Sequence, residues 1–290
     1  MRENLQTVLG AHPQGAVGSF NILDLDMAFS VIDTAESLGL PAIIGIASRH
    51  FNTINAPRLI PSIVDAMERA KVPLALHLDH AAPDQYAMIR HALDLGFSSI
   101  MIDGSMLPFA ENVDITFRVV NTAEAYGAGV EGEIGGIAGE EGVADTHGAA
   151  LEALPYTNAE EAKKFVEMTG VHALAIAVGT AHGIYAASPQ ISFDTIQACQ
   201  CAGVPLVMHG ATGVNDTDMA TAVSSGIRKI NFFSGLLKNA MDTVRANSLN
   251  VDSDYLLFKQ KLNIVWSATI SQQMRLYAKA QQNKRIVALG

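Results

Sequence analysis

Leu76-His77-Leu78-Asp79-His80 gathers two imidazoles and a carboxylate where the apolar run Val72-Pro73-Leu74-Ala75-Leu76 should stop. That run reads as a buried strand. Ionisable groups at the end of such a strand cost free energy unless they are paired or bound to a metal. Alternation sets His77 and Asp79 on one face, with His80 at the strand end, free to turn over its rim. Imidazole suits zinc, and an adjacent carboxylate suits proton transfer. Taken alone, the stretch fits core histidines satisfied by backbone carbonyls equally well.

Two further histidines have similar settings: His182 in Val178-Gly179-Thr180-Ala181-His182-Gly183, and His209 closing Pro205-Leu206-Val207-Met208. Three neutral imidazoles with an open position make a catalytic divalent-metal site, with zinc as first choice. Gly183 and Gly210 let backbone and ligand approach closely. The competing account is chance placement among nine histidines. His77 fits a packed role or one that orients a ligand. The stretch from Glu131 to Gly142 is rich in glycine and carboxylates and reads as too flexible for a core element. It is either a mobile acidic lid that carries a base or, for Glu140 above all, a solvated surface loop.

The elements that must position these groups alternate regularly. Apolar runs at 16–21, 41–47, 72–77, 98–103, 129–134, 172–178, 205–209 and 227–232 are separated by amphipathic stretches at 24–38, 59–70, 84–95, 108–126, 158–169, 190–202 and 216–225. Eight strand–helix units predict a parallel (β/α)₈ barrel. An open doubly wound sheet is the rival, but no G-x-G-x-x-G accompanies the alternation. No linker or composition shift marks a second domain, so residues 1–290 read as one barrel domain with a helical extension from about 235. Asn21, Ser48, Asp79, His80, Asp103, Glu133, His182, His209 and Asn231 all fall at or just past a strand end, whereas His172 is the one clear ionisable residue that starts a strand. In a barrel that rim carries the active site. Gly210-Ala211-Thr212-Gly213 and Asn231-Phe232-Phe233-Ser234-Gly235 follow strands seven and eight, where loops often bind phosphate. Thr212 and Ser234 also read as helix caps.

Composition narrows the classes. With 49% apolar and 17% charged residues, a large core is easily filled. A net charge of −10 argues against a nucleic-acid partner, which needs a basic face, but leaves room for a small anionic substrate. The first fifteen residues hold no continuous apolar segment, and nothing approaches a membrane span, so neither a secretory signal nor a membrane partner is expected. Cys199 and Cys201, the only cysteines, suit neither a disulfide nor a metal pair, and a reduced, cytoplasmic compartment follows.

At these residues the chain resembles the class II, metal-dependent ketose-bisphosphate aldolases, and most of all their tagatose-bisphosphate branch. The resemblance runs over nearly the whole length. It is carried by His77-x-Asp79-His80, the Glu-x-Glu-aliphatic-Gly stretch leading to Glu141, Gly179-Thr180-Ala181-His182-Gly183 and His209-Gly210. It implies that His80, His182 and His209 hold catalytic Zn²⁺, and that Asp79 exchanges a proton with the substrate hydroxyl. It further implies that Glu141 moves the proton of the nucleophilic carbon, and that Asp103 and Glu133 serve a second or alternate metal. Asn231 would contact the enediolate half of the substrate, with Asn21, Ser48, Gly183, Gly210, Ala211, Thr212, Phe233 and Ser234 completing the substrate site. The same resemblance implies a sugar-phosphate substrate, a homodimer or homotetramer, and dependence on Na⁺ or K⁺.

Departures gather at the phosphate end. Ala186 follows Tyr185 where the family usually has lysine, and Gly210-Ala211-Thr212-Gly213 stands for Gly-Gly-Ser-Gly or Gly-Ala-Ser-Gly. Asn231-Phe232-Phe233-Ser234-Gly235 stands for Asn-aliphatic-x-Thr-acid, and Ala138 for a lid glycine. An intact aldol mechanism with an altered phosphate end is therefore expected. Three rivals remain at this point: a Schiff-base aldolase using Lys229, a metal-dependent barrel hydrolase, and a catalytically idle barrel that binds sugar or stabilises a partner.

Overall fold

Each of the eight apolar runs forms a strand, and the strands close on themselves in sequence order. The computed structural model describes residues 1–137, 155–183, 185, 189–247 and 254–279. The strands are β1 Val17–Asn21, β2 Ala42–Ala47, β3 Leu74–Ala81, β4 Ser99–Ile102, β5 Gly129–Ile134, β6 Ala173–Ile176, β7 Leu206–Met208 and β8 Ile227–Asn231. All eight pairings are parallel, and β8 closes onto β1 through Val17↔Lys229 and Ser19↔Asn231. The predicted (β/α)₈ barrel is the observed fold.

The helices are α1 Leu5–Gly10, α2 Leu25–Leu38, α3 Ser48–Phe51, α4 Ala56–Arg69, α5 Tyr86–Asp94, α6 Phe109–Glu124, α7 Ala159–Thr169, α8 Phe193–Cys199, α9 Asp216–Ser225, α10 Ser234–Asn247 and α11 Tyr255–Lys279. Several begin where the sequence offers a cap. The side chains of Asp24, Asn158, Ser192 and Asn215 accept first-turn N–H groups of α2, α7, α8 and α9. Gly39 and Gly170 end α2 and α7 in the left-handed conformation. The alternation does not announce α1 or α3. Leu5, Val8 and Leu9 of α1 pack with Val17, Ile43, Ala75, Met101, Ala173, Ala175 and Val207, closing the strand-start end of the barrel with a dry inner layer. Glu131 and Glu133 belong to the buried strand β5 and not to a flexible loop, which corrects the reading of that stretch. Arg228, second in β8, joins His172 at the strand-start end.

Strand β3 departs from plain alternation. Leu74, Leu76 and Leu78 face the outer helices, and Ala75 faces the inner layer. Simple parity would return Ala81 to the inside, yet it packs in the outer core with the leucines. Pairing runs Leu78↔Ile100 and then Ala81↔Ile102, so β3 holds one extra residue against β4. His80 sits in this bulge at φ 48, and with Asn55 it is one of two non-glycine residues at positive φ among the described residues. The strand therefore continues past the expected rim, and a bulge turns the His80 side chain toward the barrel mouth.

A side chain in the left-handed region is disfavoured by about 1–2 kcal/mol, and glycine escapes that penalty. In metal-free protein, His80→Gly should therefore be more stable than His80→Ala by about 1 kcal/mol, reversing the order expected in an ordinary strand. Paired urea midpoints check this.

Candidate active site and metal centre

The bulge of β3 and the loops after β6 and β7 bring His80, His182 and His209 together. His80 Nε2 lies 3.0 Å from His209 Nδ1. Ring centroids are separated by 4.8 Å for His80–His182, 4.6 Å for His80–His209 and 5.8 Å for His182–His209. One ring nitrogen from each lies within 4.8 Å of the others. Tetrahedral zinc with bonds of about 2.0–2.1 Å sets its ligand nitrogens roughly 3.3 Å apart, so the spacing fits one ion. His182 gives independent support, because it is buried and neither ring nitrogen has a hydrogen-bond partner. Such an imidazole is unfavourable unless a ligand fills it. Burial, reinforced by His80 and His209, holds the His182 pKa well below its ordinary value. Burial and His80 likewise lower that of His209. Both are then neutral, as metal ligands must be.

The far nitrogens of two of these rings meet carboxylates. His209 Nε2 bonds Glu131 Oε1 at 2.8 Å, and His80 Nδ1 bonds Asp103 Oδ2 at 3.0 Å. A carboxylate on the outer nitrogen fixes which nitrogen faces the ion and raises its basicity. Glu131 is fully buried, and burial alone would raise its pKa. Lys229, whose Nζ lies 2.8 Å from Oε2, and then His209 reverse that and pull it down to about 2. Asp103 is likewise held below the ordinary carboxylate range: burial opposes this, but the His80 bond and the Ser105 N–H and hydroxyl outweigh it. Glu133 is pushed up to about 8 by burial and by the Asp103 charge. Its Oε2 has no hydrogen-bond partner and lies 3.9 Å from His80 Nδ1. His80, Asp103 and Glu133 thus form a second group able to hold a cation, and a cation there would relieve the repulsion that raises Glu133.

Asp79 is fully buried. Asn21 Nδ2 donates to its Oδ2 at 2.7 Å, and Asn231 Nδ2 donates to Oδ1 at 3.1 Å. Asn231 Oδ1 accepts from Lys229 Nζ at 2.7 Å. Glu131, Lys229, Asn231, Asp79 and Asn21 therefore form one chain of contacts across the barrel. His77 completes the layer: its Nδ1 meets Ser99 Oγ at 2.7 Å, and its Nε2 faces Asp79 Oδ1 at 3.5 Å and Glu131 Oε2 at 3.8 Å. Lys229 does point inward, but its ion-paired ammonium has no lone pair to offer a carbonyl, which argues against the Schiff-base reading.

The residues expected around substrate fall into two groups. Asn21 and Asn231 are bound to Asp79, and the Ser48 hydroxyl donates to the His80 carbonyl at 2.6 Å, pinning the bulge. At the β7–β8 rim, Ala211, Thr212, Phe233 and Ser234 are buried, and the Gly235 N–H donates to Thr212 Oγ1 at 3.1 Å. The Phe233 ring meets His50 of α3 edge-on at 5.7 Å. Gly183 and Gly210 have φ of 102° and 68°. Glu141, Ala138 and Ala186 lie outside the described residues. Sequence reasoning did not single out Glu131 as a partner of His209. The signal was present, since Glu131 and Glu133 share strand parity.

The family model described as class-II fructose-bisphosphate aldolase matches residues 5–282. The chain is 32% identical to YdjI of Escherichia coli (strain K12) over 263 residues, covering 90% of this chain and 91% of that protein. It is 37% identical to the D-tagatose-1,6-bisphosphate aldolase subunit GatY of Klebsiella oxytoca over 217 residues, covering 74% of this chain and 75% of that protein. The crystal structure of the YdjI aldolase superposes with a TM-score of 0.84 at 29% identity, over 97% of this chain and 99% of the other.

Two outcomes follow from the geometry. Glu131→Gln should weaken zinc retention by about 10–100-fold in a chelator competition, because the substituted amide orients His209 poorly. At Gly210 an added Cβ would run into the Ala181 backbone, and φ is positive. Gly210→Ala should therefore part the loops bearing His182 and His209 and lower zinc content at least about tenfold, while circular dichroism shows the barrel retained.

Proposed function

The chain belongs to the class II fructose-bisphosphate aldolase family, and from that premise we propose that it cleaves a phosphorylated ketose by a metal-dependent retro-aldol reaction. The products are dihydroxyacetone phosphate or a related ketone, and an aldehyde. The observation that carries this reading is the convergence of three imidazoles beside a carboxylate whose two oxygens are each fixed by an amide. His80, His182 and His209 would hold Zn²⁺, and a second or alternate divalent ion would take His80, Asp103 and Glu133. When bound, zinc supplies a Lewis acid for the negative charge that develops on the donor oxygens.

Asp79 takes the hydroxyl proton at the bond being broken. The Asn21 and Asn231 amides each hold one of its oxygens and so fix the orientation of the carboxylate. Glu141 is assigned the proton of the nucleophilic carbon, on the strength of its place in the Glu-x-Glu-aliphatic-Gly motif. Glu131 and Lys229 keep His209 oriented and help hold Asn231 in place. Gly183, Gly210, Ala211, Thr212, Phe233 and Ser234 line the donor's far end, with Asn21, Ser48 and Asn231 nearer the reacting carbons.

The GatY relative's name favours a ketose bisphosphate of the tagatose type. The altered β7–β8 rim favours a ketose monophosphate, or a sugar with a different acceptor half, and that is the reading adopted here. A homodimer or homotetramer is supported by the exposed Tyr255, Leu256 and Ile264 of α11. A cytoplasmic location is supported by the two free cysteines. The absence of a nucleic-acid partner is supported by the net charge of −10. Among the described residues no helix is long and apolar enough to cross a membrane. Dependence on Na⁺ or K⁺ is part of the proposal.

Asp79→Asn should keep its zinc, read by elemental analysis, and lose about 10²–10⁴ in kcat. Full turnover in that variant would remove Asp79 from the mechanism. A ketose screen tests the substrate: tagatose or fructose bisphosphate turned over as well as every other ketose would sink the altered phosphate end.

A further inference from the structure

We propose that the barrel carries a second ligand site, at the end opposite His80, His182 and His209, that takes a small phosphate- or carboxylate-bearing molecule. The site is an open cleft of about 470 Å³ between α1 and the starts of β6, β7 and β8. That volume lies in the range of small-molecule sites, roughly 300–1,000 Å³. It is independent of the aldolase reading, because none of its walls belongs to the metal or proton-transfer groups.

Charge selects the ligand class. The chain has 29 acidic against 19 basic residues, yet none of the described residues lining the cleft is acidic. Arg228 is half-buried there. Its Nη1 donates to the Val223 and Ile227 carbonyls at 3.0 and 2.8 Å, which holds the guanidinium in place. The N–H groups on Nη2 and Nε remain, in the fork geometry that suits oxyanions. Among the described residues no carboxylate pairs with it, and burial pulls its pKa below the ordinary value, as for a cation without a counter-ion. A half-buried guanidinium in an acid-free wall is a place an anion would stabilise.

His172 adds a defined donor. Its Nδ1 accepts the Val130 N–H at 2.9 Å, so the neutral ring carries its proton on Nε2. Burial lowers its pKa despite Glu124, which lies on α6 outside the lining. Gln6 supplies an amide from α1, and Leu9, Pro13 and Val204 give an apolar wall for the carbon part of a ligand. Gln200 Nε2 donates to the Ser225 carbonyl at 2.6 Å, holding the turn after α8 against the end of α9.

Gly10 offers a direct test, since it lines the cleft and a Cβ built there meets nothing within 4 Å. Gly10→Glu should place a carboxylate in the cleft without disturbing the frame. Equilibrium dialysis of the zinc-loaded full chain against labelled inorganic phosphate counts sites. Wild type should bind one equivalent more than Gly10→Glu, with kcat unchanged within about twofold. Arg228→Lys, which keeps charge but loses the fork, should weaken that equivalent about tenfold. Crystals soaked in tungstate should show an anomalous peak beside the Arg228 guanidinium. Equal phosphate stoichiometry in wild type and Gly10→Glu, at matching melting temperatures, overturns the proposal. So do tungstate peaks confined to the histidine mouth.

Discussion

A β-strand turns only alternate residues to one side, yet at this barrel mouth two consecutive residues, Asp79 and His80, face the same space. The extra residue of β3 resolves this. Asp79 keeps the inward parity set by Ala75 and His77, and the left-handed backbone at His80 carries the next side chain toward the mouth as well. The conformation is unfavourable in itself, so its surroundings must hold it. The Ser48 hydroxyl grips the His80 carbonyl, and Asp103 grips the ring. The Asp79 carboxylate and the His80 imidazole are therefore adjacent because one strand is locally out of register.

Charge follows the same layer. Asp79 and Glu131 are both fully buried, and Lys229 is the buried cation between them. It pairs with Glu131 directly and reaches Asp79 through Asn231. Burial and Lys229 hold the His77 pKa below its ordinary value, so that ring adds hydrogen bonds and no charge. Toward the mouth the balance tips: Asp103 stays ionised, Glu133 adds a second carboxyl, and the His182 and His209 imidazoles are neutral. A site with surplus negative charge and neutral nitrogen donors is one that a divalent cation stabilises. The deeper ion pair sets the orientation of the ligands, and the outer carboxylates supply the field.

The barrel was legible because strand–helix alternation is a long-range pattern that single residues cannot hide, and the site was legible through the crowding of polar groups at strand ends. What the sequence concealed was local. A bulge adds one residue without a compositional mark, so His80 read as a strand end. Helix α1 stands outside the alternation, and only its packing under Val17, Ile43 and Ala75 reveals it as a plug. Glu131 was obscured by neighbouring glycines, although its parity with Glu133 placed it inside. Asn21, Ser48 and Asn231 lay where polar groups meet substrate, but side-chain direction and hydrogen-bond partners are three-dimensional facts. They tie these residues to Asp79 and to the His80 carbonyl.

Three of the departures at the β7–β8 rim, Thr212, Phe232 and Gly235, meet one another. Gly235 stands where the family pattern has an acid, and any Cβ there would strike the ring of Phe232. An acidic side chain at 235 therefore requires Phe232 to move as well. Phe232 stands where that pattern has an aliphatic residue, and Phe233, at its unrestricted position, packs edge-on against His50 and so links the rim after β8 to the one after β2. Thr212 accepts the Gly235 N–H, satisfying a first-turn donor of α10 that has no partner within the helix. Gly235 thus touches both the Phe232 ring and the Thr212 hydroxyl, so a larger side chain at 235 would disturb both.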